Sequence, residues 1–405
     1  MTSASLSTQA LCALSSVAAV AAWMTAAFSL LFSAACVVAA GRFRARRTPP
    51  PSPLPPPLTV LKPVKGLDPG MRENLSSFLR QDYPGLQVVF CVADPSDPAL
   101  PLIGALRREH PSVDTALVVS SGKVGRNPKV NNLSNAEPFI KHGFVLISDS
   151  DIRLEDPGDL RRIVSPMLSD PEVGLVTCLY QCRGLGRRGA FLEALSVNAS
   201  FLPQALAAHE LSGMRFAMGA MMLVRRGLLD AAGGFRRLSL HLADDYLLGR
   251  EVERLGHRIA LARPVVTAVP ADWGPREHLL HLVRWARTIR VCQPQGYVAS
   301  AVVHSLPAIL LHMALTGGPG PAFLLATVLS ARMAAVAWIH LRCTGNRAVL
   351  AQLPLVPLNE AVQFFVWLAG FSSREVLWRG ERYRVLPCGT LAPRAESPEA
   401  AASVR

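Results

Sequence analysis

Phe144-Val145-Leu146-Ile147-Ser148-Asp149-Ser150-Asp151 is a short apolar run that ends in two carboxylates two positions apart. The run is too short for a helix, and in a parallel α/β sheet it reads as a buried strand. Ligands of such sheets collect outside the carboxyl ends of the strands. Two carboxylates presented there can hold a hard divalent cation, and that cation can hold a diphosphate. A nucleotide-diphosphate substrate is the first hypothesis this supports. The competing reading is a solvated turn and helix cap, which an isolated Asp-Ser-Asp is more often than a metal site.

The flanking sequence favours the strand. Leu58–Leu61 reads as a strand, Pro69–Arg80 as a helix opened by Asp68, and Gln87–Val92 as a second strand ending in Ala93-Asp94. Leu100–His110 is helical, Thr115–Val119 is a third strand, and Asn131–Ile140 is broadly helical. This alternation marks an α/β domain with a mostly parallel, doubly wound, Rossmann-like sheet. Asp94 and Asp149 both follow strand ends, so they can share one crevice. Past Asp151 the alternation loosens. Val173–Tyr180 is strand-like, Arg188–His209 helical, and Phe216–Val224 an apolar run whose Met218, Met221 and Met222 read as core. Ala243–Leu255 is a helix opening with Asp244 and Asp245 and stopped by Gly256, followed by strand Ile259–Ala262.

Of 405 residues, 50% are apolar, enough for one catalytic-size domain plus membrane segments. The net charge is +13. It is clustered: Arg42, Arg44, Arg46 and Arg47 follow one apolar stretch, and Arg276, Arg284, Arg287 and Arg290 precede another. Clusters abutting apolar spans point to the cytoplasmic face of a membrane. Aromatic residues are few and no nucleic-acid signature is present, so nucleic acid is not an expected partner. The eight cysteines lack C-x-x-C spacing and read as reduced packing residues rather than a metal site.

Residues 11–40 are long and apolar enough for a tilted transmembrane helix. Ala39-Ala40-Gly41 resembles a signal-peptide cleavage site, yet no Lys or Arg precedes the stretch and the basic cluster follows it. An anchor over residues 1–41 is expected, with Gly41 onward cytoplasmic. From Thr48 to Pro57 seven of ten residues are Pro, so residues 42–57 form a basic, stiff linker to a domain over 58–274. Residues 275–296 read as a basic amphipathic helix at the membrane interface, with Leu279, Leu282, Val283, Ala286 and Ile289 on one side. Apolar spans follow near 298–316, 320–341 and 348–371, within a membrane region 297–372. Three full crossings would place Arg374, Arg379, Arg382 and Arg384 outside, against the positive-inside rule. One segment is therefore expected to be re-entrant or interfacial, with 348–371 the candidate because Pro354, Pro357, Asn359 and Glu360 break it. Residues 373–405 read as a basic segment with a disordered tail.

The acidic stations Asp94, Asp149 with Asp151, and Asp245, followed by Arg284-Trp285, resemble the D, DxD, (E/D)D, (Q/R)xxRW signature of family 2 type glycosyltransferases with a GT-A fold. The closer resemblance is to ceramide glucosyltransferases of family 21 and the related bacterial glycosyltransferases of hopanoid biosynthesis. It is carried by Leu61-Lys-Pro-Val-Lys-Gly66, Cys91-Val-Ala-Asp-Pro-Ser-Asp-Pro-Ala99, Asn127-Pro-Lys-Val-Asn-Asn-Leu133, Ser148-Asp-Ser-Asp-Ile152, Leu242-Ala-Asp-Asp-Tyr246, Arg284-Trp285 and Trp378-Arg-Gly-Glu-Arg-Tyr-Arg384. Together, in family order, they span residues 58–388.

The resemblance implies that Asp94 contacts the uridine of a UDP-sugar, against the bland reading of an Asp-Pro turn. Asp149 and Asp151 would hold Mg2+ or Mn2+ on the diphosphate. Lys129 would meet a donor phosphate with Asn131 beside it, against the reading of a solvated helix start. Asp245 would be the general base of an inverting transfer, with Asp244 capping or orienting. Arg284 would grip the diphosphate and Trp285 would wall the acceptor. His281 stands where the family has Gln or Arg, so the resemblance places it at the donor-binding site, where a His can still donate a hydrogen bond; solvated or interfacial histidines are the expectation for His278 and His281 rather than a zinc pair.

The expected function is an integral-membrane, multi-pass inverting glycosyltransferase with a cytoplasmic catalytic domain, one N-terminal and about three C-terminal membrane helices. It would move a hexose from a UDP-sugar to a membrane-lipid hydroxyl: a hopanoid polyol with UDP-N-acetylglucosamine, or ceramide with UDP-glucose. Leu242-Ala-Asp-Asp-Tyr246 and Asn198-Ala-Ser-Phe-Leu-Pro203 resemble the bacterial hopanoid type, which implies a bacterial inner membrane. Two alternatives stay open: a processive polysaccharide synthase, which needs more membrane helices for a channel, and a non-catalytic relative that binds nucleotide-sugar or lipid.

Overall fold

The computed structural model describes residues 3–46, 49–183, 188–378, 381–386 and 389–393. The chain divides into two compact units. One comprises Arg47–Ala194, Ser212–Cys292 and Gly370–Arg405; the other Met1–Arg46, Leu195–Leu211 and Gln293–Ala369.

The first unit is built on strands β1 (Leu58–Val64), β2 (Leu86–Val92), β3 (Asp114–Val119), β4 (Phe144–Ser148), β5 (Ile152–Arg153), β6 (Val173–Cys182), β7 (Met221–Arg225) and β8 (Arg258–Ala268). They form one sheet in the order β3-β2-β1-β4-β7-β6-β8-β5. The β3-β2-β1-β4 half is parallel, as the alternation predicts. β7 enters antiparallel between β4 and β6, and β5 pairs antiparallel with β8. Every residue of β1 and β2 is buried, the pattern of a sheet covered on both faces. Leu146, Ile147, Leu223 and Val224 are each at most 1% exposed, and each such side chain contributes about 1.5–3 kcal/mol by leaving water.

β1 runs three residues beyond the expected Leu61, through Pro63. Its pairing with β4 stops at Leu61↔Ile147, whereas its pairing with β2 continues to Val64↔Val92. Pro63 therefore sits where β1 has lost one neighbour, the sort of edge position at which a strand tolerates a missing N–H. β8 is likewise longer than the Ile259–Ala262 expectation. β6 follows it through two register shifts, irregularities that strict apolar alternation cannot reveal.

The C-terminal segment departs most from expectation. Strands β9 (Glu375–Trp378), β10 (Glu381–Val385) and β11 (Leu391–Pro393) make a three-stranded antiparallel sheet. Tyr383 and Val385 are buried while Arg382 and Arg384 are exposed, a period of two. Val376, Tyr383, Val385 and Leu391 form a small core with Leu242. Reading this stretch by its charge obscured that alternation. The tail beyond 393, expected to be disordered, lies outside the described residues.

The second unit is helical. Helix Ser3–Ala45 includes a candidate membrane span over Gln9–Ala45, with further candidates at Pro319–Thr344 and Arg347–Phe371; their mean hydropathies are 1.9, 1.8 and 1.3. A bent pair, Pro294–Val303 and Leu306–Thr316, makes a fourth if it counts as one span. The break expected in 348–371 is thus found in 294–316. Residues Arg347–Leu355 coil as a 3-10 helix that accommodates Pro354, and Val356–Phe371 continues as an α-helix. Near 304, the chain turns at His304 and Pro307 opens a new helix, where its missing N–H costs nothing. Inside this unit Arg332 pairs with Glu360 at 3.0 Å, as buried charges in apolar helices require.

Candidate active site

The site begins with topology. Asp149 and Asp151 follow β4, and because β7 is antiparallel its entry loop lies at the same edge. Asp149 N–H donates to Ala220 O at 3.3 Å. One residue earlier, Gly219 N–H donates to Asp245 Oδ2 at 2.9 Å. Asp245 lies in the first turn of helix Asp244–Arg254 and also accepts from Tyr246 N–H at 2.7 Å. The β7 entry loop therefore carries the β4 carboxylate station to the helix-start station, although nearly a hundred positions separate them in sequence.

Lys129 joins the same stations. Its Nζ is 2.6 Å from Asp149 Oδ1 and 3.8 Å from Asp244 Oδ2, and it donates to Gly219 O at 3.2 Å. Burial acts to lower the Lys129 ammonium, but Asp149, Asp244 and Asp245 outweigh it and hold it above the ordinary lysine range. Lys129 is thus not the solvated lysine of the bland reading. It is carried by helix Pro128–Ala136, whose N-cap Asn127 accepts from Val130 N–H. Asn127 Nδ2 also donates to Asp244 Oδ1 at 3.2 Å and His241 O at 3.0 Å. Asn127 carries no role in the sequence reading, although Asn-Pro at a helix start was the available signal.

Lys62 is the second residue that reading quotes without a role. It is fully buried in β1, with Nζ donating to Asp149 O at 2.6 Å and Ser148 Oγ at 3.2 Å and lying 3.9 Å from the Phe78 ring centroid. Burial pushes its ammonium down to about 7, with Asp151 and Asp149 pulling the other way. It braces the metal-candidate turn from beneath.

Asp151 Oδ1 is buried and has no hydrogen-bond partner among the described residues. Burial first and then Asp149 push the Asp151 carboxyl above the usual range, and Lys62 opposes them. Among the described residues no group of three or more His, Cys, Asp or Glu is arranged to hold a metal. The pair nonetheless fits a hard divalent cation, because an unmatched buried carboxylate oxygen is the donor such an ion takes, and phosphates and water complete its shell. Asp245 is also raised, by burial and then by Asp244, against Lys129.

Asp94 lies two residues past β2, which is separated from β4 by β1, so the two strand ends are about 10 Å apart. Its side chain is exposed and closes a turn, accepting from Ser96 N–H at 2.8 Å and Ser96 Oγ at 2.6 Å. The Ser96 hydroxyl and N–H hold its carboxyl below the usual range. The neighbouring Asp97 is buried and ties Gly66 N–H to this turn at 2.9 Å. Asn131, expected beside the donor phosphate, uses its whole amide on a loop. Its Oδ1 accepts from Val124 and Gly125 N–H at 3.1 and 3.0 Å, and Nδ2 donates to Gly125 O at 3.0 Å. Its contribution is to shape the chain leading to Lys129.

Helix Pro275–Cys292 buries His278, Leu282 and Ala286. That corrects the solvated half of the expectation for these histidines and shifts the buried seam off Leu279. His281 is flanked by Trp273 and Trp285, with ring centroids 4.5 and 4.7 Å away. Burial first, then Arg284 and His278, push its imidazole down to about 2, so it is neutral at ordinary pH. Arg287 and Arg290 donate to the β9 turn: Arg287 to Glu375 O at 2.5 Å and Ser372 Oγ at 3.1 Å, Arg290 to Ser373 O at 3.0 Å. Leu279, Leu280 and Ile289 remain exposed on this helix.

The C-terminal sheet also reaches the site. Leu391 N–H donates to Leu240 O at 2.8 Å and Leu242 N–H donates to Gly389 O at 3.2 Å. Arg126 Nη1 donates to Leu391 O at 2.5 Å. This strand pins the loop that leads into Asp244 and Asp245.

A mostly parallel sheet with carboxylates gathered at its strand ends defines a GT-A-type glycosyltransferase fold. The solved mannosyltransferase from Pyrobaculum calidifontis, in complex with GDP-Man and Mn2+, has this fold with a TM-score of 0.50 at 22% identity, over 88% of this chain and 97% of that one. The pattern of glycosyl transferase family 21 matches residues 20–391, and the chain belongs to that family. It is 28% identical to ceramide glucosyltransferase 1 of Caenorhabditis elegans over 212 residues, which are 52% of this chain and 45% of the worm protein. It is 32% identical to ceramide glucosyltransferase of Komagataella phaffii over 167 residues, 40% of this chain and 32% of the yeast protein. The chain therefore spans about half or less of the length of these relatives.

Proposed function

We propose that this chain transfers a hexose, with inversion, from a UDP-sugar to the hydroxyl of a membrane lipid. The observation that carries the reading is the convergence of Asp149, Lys129 and Asp245 through the Gly219 loop. Family membership and the ceramide glucosyltransferase relatives support a lipid acceptor. Among the described residues three helices are long and apolar enough to cross a membrane, in keeping with an acceptor held in the bilayer.

In this reading Asp245 removes the proton from the acceptor hydroxyl as that oxygen attacks the anomeric carbon, and the UDP leaves from the opposite face. A carboxylate raised toward neutrality suits that task, and the Gly219 and Tyr246 N–H groups fix its orientation. Asp149 and Asp151 would hold Mg2+ or Mn2+, which supplies Lewis-acid stabilisation of the diphosphate. Lys129 and Arg284 add positive charge for the leaving group. Asp94 would accept from the uridine, and Trp285 with His281 would wall the acceptor. Ceramide with UDP-glucose and a hopanoid polyol with UDP-N-acetylglucosamine are the pairs to test.

Membranes containing the chain, incubated with radiolabelled UDP-glucose or UDP-N-acetylglucosamine and each lipid, should yield a labelled glycolipid that EDTA abolishes. Absence of label in all combinations, with the chain folded, overturns the reading.

A further inference from the structure

Glu193 is a buried acidic group that the reaction above does not use. It lies on helix Arg188–Ser196, and its Oε2 is buried with no hydrogen-bond partner among the described residues. A buried carboxylate oxygen normally has a donor, so this atom awaits one. Its direction follows from the helix. Gly189 is one turn earlier on the same face, and a Cβ there would meet the Trp273 carbonyl oxygen at 1.6 Å. That face therefore packs on the segment whose Trp273 ring lies tilted against His281, itself beside Trp285. Burial and then the Asp151 charge push the Glu193 carboxyl up to about 7, and the Arg284 charge pulls it down. Its helix face thus packs on the Trp273–His281–Trp285 ring cluster, the candidate acceptor wall.

We propose that Glu193 is a specificity-determining residue whose Oε2 accepts a hydrogen bond from a hydroxyl of the bound substrate, on the hexose or on the lipid. This rests on the function proposed above. The ionised carboxylate only accepts and the protonated carboxyl can also donate, so the group it selects is a hydroxyl, which meets either form and which both substrates offer. A site built to bond a hydroxyl rejects analogues lacking it far more strongly than an apolar pocket would.

The test uses the full chain in detergent with Mn2+ and compares wild type, E193Q and E193A. Equilibrium binding is measured for UDP, UDP-glucose, UDP-N-acetylglucosamine, monodeoxy UDP-glucoses, ceramide and a hopanoid polyol. If the hydroxyl is on the hexose, E193A loses about 10- to 100-fold in affinity for UDP-glucose but not for UDP. The matching deoxy donor then binds wild type and E193A alike. If the hydroxyl is on the lipid, the loss falls on ceramide and is absent for 3-deoxyceramide or for 1-deoxyceramide. E193Q, whose carbonyl still accepts, recovers most of the loss in either case. Unchanged binding of every sugar nucleotide, of ceramide and of a hopanoid polyol by E193A overturns the proposal. So does an equal loss for UDP itself. Failure of wild type to transfer sugar would remove the function above, while these binding ratios still decide on Glu193.

Discussion

Lys129 Nζ lies 2.6 Å from Asp149 Oδ1. This pair places a cation between the carboxylate that follows β4 and the acidic start of helix Asp244–Arg254, where Asp244 is 3.8 Å from the same nitrogen. Lys129→Met keeps the length and removes the charge. Its kcat/KM for the UDP-sugar should fall about 10- to 100-fold, the range for a lost charge-assisted hydrogen bond. Steady-state kinetics against donor concentration check this, and a value near wild type would remove Lys129 from the site.

Asp245→Asn should retain UDP-sugar binding and lower kcat by about 10²- to 10⁴-fold, as loss of a general base does. The base must be ionised to act. Because burial and Asp244 raise its pKa, wild-type turnover should fall on acidification at a pH above the usual carboxylate range. A pH–rate profile reads this acidic limb, and its persistence unchanged in the Asn variant would reassign the base.

Gly219 has room for hydrogen only: a Cβ there would lie 2.9 Å from Asp245 Oδ2. Gly219→Ala should displace that carboxylate and cut kcat about 10- to 100-fold, the cost of misplacing a reacting group. Nucleotide affinity and the thermal midpoint should stay near wild type. An equal loss of UDP binding would mean that the loop serves the donor rather than the base.

His281→Gln restores the residue type the family signature carries. Since His281 is held neutral by burial between two indoles, its removal should leave the pH–rate profile unshifted between pH 5 and 8, about where an ordinary imidazole titrates. A shifted limb in that window would show that His281 ionises during turnover.

Leu391 is fully buried in the C-terminal sheet, which clasps the loop before Asp244. Leu391→Ala should cost about 2–5 kcal/mol locally and lower kcat with little change in Mn2+-dependent UDP binding. Thermal unfolding and kinetics together check this, and an unchanged kcat would free the sheet from any role at the site.

The amino-acid sequence by itself determined the class of the fold, the acidic stations and the apolar helices. Apolar runs, turn residues and helix starts are local properties, and strand-terminal carboxylates report their own position. It also carried the family, through motifs whose order survives without coordinates. Tertiary structure alone decided how the stations meet. The antiparallel β7 and its Gly219 loop bridge Asp149 to Asp245, and no local pattern announces a strand inserted from far along the chain. The same holds for Lys62, whose ammonium finds Asp149 only through β1–β4 pairing, and for Arg287 and Arg290, whose acceptors the β9 turn brings from far along the chain. Charge and periodicity describe what a segment offers; which partner takes the offer depends on packing between segments distant in sequence.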